Sequence, residues 1–194
     1  MIKYYRTVDK YKIRDLDNAY FLTLTVVDWI AVFTRKNHKH LMIDALLYCQ
    51  KNKGLVIFGY CLMPSHLHMI ARAEGKYTLS DILRDLKKFT SKSLVKQIEE
   101  EGESRREWML KHFAKAGEHL RSIKNYKFWQ DGNQAKEIYS NQFLYEKLDY
   151  IHNNPVKEMI VARAEDYIFS SARNYASMDC VLDVCLITPE LKTY

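Results

Sequence analysis

The chain has 194 residues and a mass of 23.1 kDa, which favours one domain with a modest appendage. Hydrophobic residues make up 47% and there are only six glycines and three prolines, a composition that excludes a disordered or collagen-like chain. The net charge of +6 and the pI near 9.0 indicate an anionic partner.

The sequence shows no targeting or membrane-spanning segment. The start, M-I-K-Y-Y-R-T-V, is polar and lacks the apolar core of a signal peptide. No stretch approaches the roughly 20 apolar residues of a membrane span. Four cysteines are present without a C-x-x-C pair: Cys49, Cys61, Cys180 and Cys185. We therefore expect a cytoplasmic, nucleoid-associated protein with reduced thiols and no membrane partner.

Strand and helix patterns alternate through the first half of the chain. Residues 19–33 are rich in β-branched and aromatic side chains and predict a first strand. Residues 38–52 have apolar side chains at helical spacing, which predicts a helix that ends at Gly54. Residues 55–63 predict a second strand. Pro64 and Ser65 should interrupt it before residues 66–73 resume it, since proline favours an edge or a bulge.

Helices dominate the second half. Residues 79–101 predict a helix with Ser80 as its N-cap and Asp81 in its first turn. Residues 102–127 are charged and suggest an insertion with a short helix. Residues 140–154 predict a helix capped by Ser140, with Pro155 just past its end. Residues 156–194 show only weak patterns. This order predicts an α+β domain with helices packed on an antiparallel sheet.

The stretch C-L-M-P-S-H-L-H-M-I, residues 61–70, carries two histidines on either side of one leucine. In a strand, residues i and i+2 project to the same face, so His66 and His68 point one way and Leu67 points into the core. Two imidazoles in this arrangement suit a metal site. Composition alone would give H-x-H in about one such chain in four, so a pair of surface histidines stays an equal alternative. Zinc hydrolase and deaminase motifs are absent from the sequence.

The helix predicted at 140–154 has two stripes. Leu144, Leu148 and Ile151 form an apolar stripe that should face the core. The second stripe places a phenol, an ammonium and a carboxamide in one row; its members are Phe143, Lys147, Tyr150 and Asn154. A packed tyrosine is the common fate of such a residue. A cation and an amide one turn away on either side favour a functional one.

These residues together resemble a known family. Y-C-L-M-P-S-H-L-H-M-I, a basic helix, F-W-Q and L-D-Y-I-H-N-N-P-V-K are similar to motifs of the single-tyrosine HUH transposases, in particular the branch associated with repetitive extragenic palindromes. The similarity covers most of residues 19–175, including E-D-Y-I-F-S-S-A-R-N-Y. It implies a ferredoxin-like or RRM-like antiparallel sheet with the histidine pair on a central strand. It also implies a transposase domain at 1–175, with a charged insertion around 102–127, and a C-terminal tail at 176–194.

The resemblance also implies roles for the site residues. His66 and His68 would bind a divalent metal, Mg²⁺ or Mn²⁺, with Asn154 as third protein ligand. Tyr150 would attack a phosphate in single-stranded DNA, leaving a 5′-phosphotyrosine link and a free 3′-hydroxyl. Because tyrosine ordinarily has a pKa of about 10, we hypothesise that Lys147 assists it. Two departures weaken the third ligand: Pro155 disfavours helical geometry at Asn154, and magnesium prefers oxygen ligands.

Other tyrosines and basic residues accompany this set. Tyr139 and Tyr145 are rival nucleophiles, but Tyr145 lies five positions before Tyr150 rather than one helical turn. We predict DNA contacts for six basic residues, although solubility is the ordinary role of such charges: Arg84, Lys87, Lys88, Lys92, Lys96 and Lys147. Phe128 and Trp129 would either stack on bases or pack in the core.

The sequence therefore predicts a metal-dependent transposase that nicks and joins single-stranded DNA at hairpin ends, acting as a monomer or a homodimer. A replication or mobilisation initiator with the same chemistry is one alternative. A nucleic-acid-binding module with inert histidines is another, and it would shift an oligonucleotide without forming an adduct.

Overall fold

The computed structural model describes residues 13, 18–102, 104–118 and 126–187. Nine helices and strands, with two short 3₁₀ turns at Val27–Trp29 and Ala164–Asp166, make up this part of the chain. They are β1 (Tyr20–Thr25), α1 (Lys36–Lys53), β2 (Leu55–Leu62), β3 (His66–Ala73), α2 (Leu79–Glu100), α3 (Arg106–Gly117), β4 (Lys136–Glu137), α4 (Asn141–Lys157) and α5 (Ala172–Tyr175).

The four strands form one antiparallel sheet in the order β2-β3-β1-β4. This is the strand order of the ferredoxin-like β-α-β-β-α-β arrangement, in which the first and third strands are central. The predicted α+β class is confirmed, and so is the histidine pair on a central strand, β3. In the β1–β3 pairing, Thr23 lies opposite His68 and Thr25 lies opposite His66.

Helices cover both faces of the sheet. All six residues of β1 are buried, and alternate residues of a strand face opposite sides, so neither face of β1 is open to solvent. α4 contacts β2 and β3 on the face that carries His66 and His68. α1 and α2 pack on each other and on the same two strands, and they cover the other face. The largest buried side chains include Tyr20, Tyr60 and Phe33.

The sequence predicted that Pro64 interrupts a strand, but in the structure it does not. It lies in the turn of a hairpin whose two arms, β2 and β3, run antiparallel. A turn tolerates proline because no ladder hydrogen bond is lost there. The Met63 N–H donates to the His66 carbonyl at 2.8 Å, and the Phe33 N–H donates to the Pro64 carbonyl at 2.8 Å. The turn is therefore held from two sides just before His66.

The structure corrects two predicted element ends and one predicted N-cap. The first strand ends at Thr25 rather than 33, because the chain turns sharply at Val27–Trp29. α2 begins at Leu79, as predicted, but its N-cap is Thr78, which forms a capping box with Asp81, so Ser80 lies inside the helix. α4 continues past Asn154 to Lys157 with Pro155 inside it. The Ser140 cap is confirmed, since its Oγ accepts from the Phe143 N–H at 3.1 Å.

Within the described part of the chain, no helix is long and apolar enough to cross a membrane. The four cysteines form no disulfide. The helix predicted within the charged stretch is α3. Residues 119–125 of that stretch, residues 188–194 of the predicted tail and nearly all of the polar N-terminal segment lie outside the described residues.

Candidate active site

His66 and His68 lie side by side at the start of β3. Their ring centroids are 4.6 Å apart. Leu67 between them is fully buried, as the strand alternation predicted. The two imidazoles therefore share one face of the sheet near its centre.

A hydroxyl group lies against the Nδ1 atom of each imidazole. Thr23 Oγ1 is 3.0 Å from His68 Nδ1, and Ser65 Oγ is 3.1 Å from His66 Nδ1. When Nδ1–H is the donor in such a bond, the ring presents an unprotonated Nε2 to a ligand. No hydrogen bond among the described residues engages either Nε2. The arrangement suits two neutral imidazoles that both offer Nε2.

Burial keeps both rings neutral. It lowers the pKa of His66 to about 4, and burial together with the nearby His66 lowers the pKa of His68 to about 3. Both histidines are therefore unprotonated at neutral pH, which is the state a metal ligand needs.

Tyr150 on α4 lies over this pair. Its ring centroid is 5.2 Å from that of His68 and 6.0 Å from that of Phe21, both in edge contacts. The side chain remains 39% exposed. A phosphate that approaches from solvent can therefore reach the phenol. The histidines and the tyrosine come from the same chain.

Two lysines flank Tyr150. Lys147 Nζ lies 6.0 Å from the centre of the tyrosine ring and also contacts Phe143 and Phe21. Lys157 Nζ lies 5.4 Å from the same ring. Lys147 is thus where the sequence predicted it. The sequence pattern does not point to Lys157, because it predicts a helix that ends before this residue.

Asn154 lies on α4 one helical turn after Tyr150, as the sequence pattern requires. Pro155 does not end the helix there. Pro155 donates no hydrogen bond of its own. The Glu158 N–H nevertheless donates to the Asn154 carbonyl at 3.0 Å, and the Ile160 N–H donates to the Pro155 carbonyl at 2.9 Å. Asn154 is only 8% exposed. Its amide is therefore held on the buried side of the helix, in phase with the tyrosine.

Gly59 allows α4 to approach the sheet closely. A β-carbon at this position of β2 would lie 2.5 Å from Leu148 Cδ1, well inside van der Waals contact. Leu148 precedes Tyr150 by two residues and is buried against the sheet. The absence of a side chain at Gly59 therefore leaves room for the Leu148 side chain between α4 and the sheet.

The basic residues of α2 lie elsewhere. Among the described residues, no hydrogen bond, ion pair or ring contact links them to His66, His68 or Tyr150. Lys88 and Lys92 line a groove between α1 and α2. Lys96 pairs with Glu100 at 3.6 Å, and Arg84 pairs with Asp81 and Asp85.

Lys87 has a structural role, because its ammonium group is hydrogen-bonded to a loop. Its Nζ donates to the carbonyls of Gln130 and Gly132 and to Asn133 Oδ1, at 2.9, 2.6 and 3.1 Å. These bonds use all three donors of the ammonium. Burial also lowers the pKa of Lys87 to about 8. Lys87 holds the 130–133 loop against α2, and we do not include it in a DNA interface.

Phe128 and Trp129 belong to the core. Phe128 is 1% and Trp129 6% exposed, and the Trp129 indole N–H donates to Thr90 Oγ1 at 3.0 Å. Of the two roles left open by the sequence, packing is therefore the one observed.

A strained turn brings an exposed tryptophan to the histidines. Asp28 and Trp29 have φ angles of 52° and 55°, in the left-handed region. Such a conformation costs about 1–3 kcal/mol for a residue other than glycine and persists only where the surroundings impose it. The Trp29 ring is 55% exposed, and its centroid lies 5.2 Å from that of His66.

The donors present fit a divalent cation. Within the described residues, no third His, Cys, Asp or Glu side chain joins the two imidazoles in a cluster, and no hydrogen bond links Asn154 to either of them. Thr25 Oγ1, across from His66, is buried and has no hydrogen-bond partner among the described residues. A water molecule in the coordination shell of a cation would satisfy it. With Asn154 as third ligand, as the resemblance implies, two nitrogens and an amide oxygen would suit Mn²⁺ better than Mg²⁺.

Sequence reasoning does not find Thr23, Thr25 or Trp29. T-L-T at 23–25 has the same period as H-L-H at 66–68, but which strands pair, and in what register, is not encoded locally. The β-branched neighbours of Trp29 predict a strand at this position, and a strand would not bring its ring to the histidines.

The ferredoxin-like sheet, a histidine pair on its central strand and a tyrosine helix across it define a fold and site of the HUH type. A sequence profile described as "Transposase IS200 like" matches residues 20–126, more than half of the chain. The chain therefore belongs to the IS200-like transposase family. The matched range includes His66 and His68 and ends before α4.

The fold is also that of a solved transposase. A structure of a REP-associated tyrosine transposase bound to a REP hairpin superposes with a TM-score of 0.62 and 18% sequence identity, covering 93% of each chain. No curated protein matches the sequence.

Proposed function

We propose that this protein cuts and rejoins single-stranded DNA beside hairpin structures, with Tyr150 as the covalent nucleophile. The observation that carries the proposal is the contact between Tyr150 and His68, at 5.2 Å between ring centroids, on the face where His66 and His68 both offer Nε2. Membership of the transposase family supports DNA strand transfer as the reaction. The hairpin bound by the REP-associated transposase of the same fold supports the substrate.

The chemistry starts with attack by the phenol oxygen of Tyr150 on a phosphodiester. A bond forms between Tyr150 Oη and phosphorus, and the bond between phosphorus and the 3′-oxygen breaks. The released 3′-oxygen takes up a proton and becomes a hydroxyl, while the 5′-phosphate stays on the enzyme. The energy of the phosphodiester is conserved in the tyrosyl link, so a 3′-hydroxyl can reverse the reaction without ATP.

Lys147 and Lys157 flank the ring of Tyr150 and supply positive charge as the phenol loses its proton. His66, His68 and Asn154 would hold the divalent metal. When bound, that metal polarises a phosphate oxygen and orients the scissile bond. Thr23 and Ser65 keep the imidazoles in the orientation that presents Nε2.

Labelled oligonucleotides test the proposal. A hairpin with single-stranded flanks, taken from the DNA around the gene, is incubated with the protein and Mn²⁺ or Mg²⁺. A 3′-terminal label should become attached to the protein, and a 5′-terminal label should appear on a shorter free strand. The 5′-phosphotyrosine link predicts this asymmetry.

Two variants and a chelator complete the experiment. Tyr150→Phe should form no adduct, whereas Tyr139→Phe should behave as the parent protein, since Tyr139 stacks on Phe143 instead. Chelation should stop the reaction, and added metal should restore it. Band shifts without any adduct would leave the protein as a binder, and an adduct with Tyr150→Phe would remove Tyr150 as nucleophile.

Asn154 has its own test. Asn154→Ala should weaken Mn²⁺ binding by about 10- to 100-fold if the amide is a ligand. Unchanged binding, measured by calorimetry, would exclude it from the metal site.

A further inference from the structure

We propose that Trp29 is a stacking platform for a DNA base next to the scissile phosphate. The inference rests on the proposed function, because it assigns a contact to the substrate of the same site. It concerns a residue outside the histidine pair and the tyrosine helix.

The position of Trp29 carries the first part of the argument. Its ring meets that of His66 edge-on, with centroids 5.2 Å apart and planes at 73°. More than half of the side chain is nevertheless exposed. The exposed ring therefore borders the buried polar site and is open to a ligand that is bound there. A phosphate held near His66 and His68 would bring its own bases within reach of this surface.

The rigidity of the turn carries the second part. The Val26 N–H donates to the Ser65 carbonyl at 3.0 Å, and the Val27 N–H donates to the Phe128 carbonyl at 2.9 Å. Val26, Val27 and Ile30 are all buried. The backbone on both sides of Trp29 is thus fixed to the turn before His66 and to the core. The left-handed conformation holds the indole out at the site rather than letting it fold into the core.

The chemistry of the partner follows from the ring. Aromatic side chains bind single-stranded nucleic acid by stacking on base faces, and every base has such a face. The platform therefore positions a base without demanding a sequence. An unpaired base fits because the bases of a duplex are already stacked on one another.

Fluorescence gives the first test. The chain has three tryptophans, and Trp129 is buried. Trp108 on α3 is 49% exposed and serves as the matched control. A hairpin with a single-stranded extension should quench the Trp108→Phe protein, in which Trp29 remains, and should leave the Trp29→Phe protein nearly unquenched.

Binding by a stacking-deficient variant gives the second test. Trp29→Leu should weaken binding of the hairpin by roughly 5- to 150-fold, the range expected for one stacked base. Trp29→Phe should recover much of the loss. Both replacements face the same backbone conformation, so their difference reports the aromatic ring.

Abasic nucleotides separate stacking from a purely structural role. The stem fixes the register, and one abasic position is scanned along the extension. At one position next to the cleaved phosphate, the abasic strand should weaken binding to the parent protein as much as Trp29→Leu does. At that position it should cause no further loss in the variant. The proposal would be overturned if the abasic nucleotide weakened binding to Trp29→Leu as much as it weakens binding to the parent protein at every position. It would also be overturned if the Trp29→Phe protein, which retains Trp108, were quenched and the Trp108→Phe protein were not.

These measurements record binding, so each tryptophan variant is made in the Tyr150→Phe background and is compared with Tyr150→Phe itself, and none of them depends on cleavage. Quenching through Trp29 without any adduct from the parent protein would retain the platform and reject the proposed cutting activity. An adduct from the parent protein, together with unchanged binding in Trp29→Leu, would retain the cutting activity and reject the platform.

Discussion

Two hydroxyls and two imidazoles face one another across β1 and β3. Thr23 supports His68 with a hydrogen bond, whereas Thr25 lies opposite His66 with its hydroxyl unsatisfied among the described residues. Thr23 therefore orients the ring of His68, whereas Thr25 leaves a hydroxyl oxygen beside His66 that is unpaired within the described part of the chain. We expect the two threonines to contribute differently.

Replacing Thr23 by valine should reduce Mn²⁺ affinity by about 10- to 100-fold, because His68 loses the group that orients its ring. Thr23→Ser keeps the hydroxyl and should stay close to the parent protein. Calorimetric titration with Mn²⁺ measures the effect. Equal affinities for the valine and serine variants would show that the hydrogen bond does not serve the metal site.

The buried histidines should make the metal-free protein sensitive to mild acid. Burial lowers the pKa values of His66 and His152 to about 4 and that of His68 to about 3. The unfolded chain takes up protons below an ordinary pKa of about 6.5, while the folded protein does not. Stability is therefore complete above that pH and falls as the pH decreases towards 4.

The expected loss between pH 7 and pH 5 is on the order of 1–2 kcal/mol for each imidazole. Urea denaturation at the two pH values, with a chelator present, measures it. His152→Asn should show a smaller loss than the parent protein. His152 lies half-buried on α4, with its Nε2 2.8 Å from Ser171 Oγ, and an identical loss would contradict a neutral ring at this position.

At the scale of elements, the site depends on how α4 lies across the sheet. Tyr150, Asn154 and Lys157 occupy successive turns of one helix, and the helix reaches the sheet where Gly59 has no side chain. A small displacement of α4 would move all three groups together relative to the histidines.

Gly59→Ala should therefore slow adduct formation by Tyr150 and lower the free energy of unfolding by about 1–3 kcal/mol, as overpacking does. Leu148→Ala provides the compensating change, because it removes the atom that the new methyl group would meet. In the Leu148→Ala background, Gly59→Ala should lower the free energy of unfolding by less than it does in the parent protein. Additive losses in stability and rate would show that the two positions do not meet.

The sequence predicts elements better than their ends. Period and composition identify β3, α2 and α4, and the alternation around Leu67 places the histidines on one face. Thr78 is not distinguished as the cap because Ser80 precedes an equally plausible first turn. The continuation of α4 through Pro155 depends on tertiary packing, since Asn154 and Pro155 are buried. Trp29 lies in a turn much earlier in the chain than His66, and only the folded structure brings the two rings together.

For the molecule as a whole, two pairs of basic residues within the described ranges lie on different surfaces. Lys147 and Lys157 lie at the tyrosine, whereas Lys88 and Lys92 line the groove between α1 and α2. A short single strand at the site would contact only the first surface. A substrate with a longer folded part has the reach to contact both.

The double variant Lys88→Ala, Lys92→Ala should accordingly leave the reaction with a short single strand unchanged. Its affinity for a complete hairpin should fall, and the slope of log K against log salt should decrease by about 0.9 for each phosphate that a lysine no longer neutralises. Titrations at several salt concentrations measure this. An unchanged hairpin affinity would remove these lysines from the DNA interface.

The position of Tyr150 over histidines of the same chain has a kinetic consequence. On the proposed mechanism, each molecule contains both the nucleophile and the groups that activate the phosphate. We therefore predict that formation of the covalent link is first order in protein and that the yield per molecule does not fall on dilution. On this prediction, a cell that holds only a few copies could complete a cut, whereas a yield that falls on dilution would show that the tyrosine of a second copy reacts.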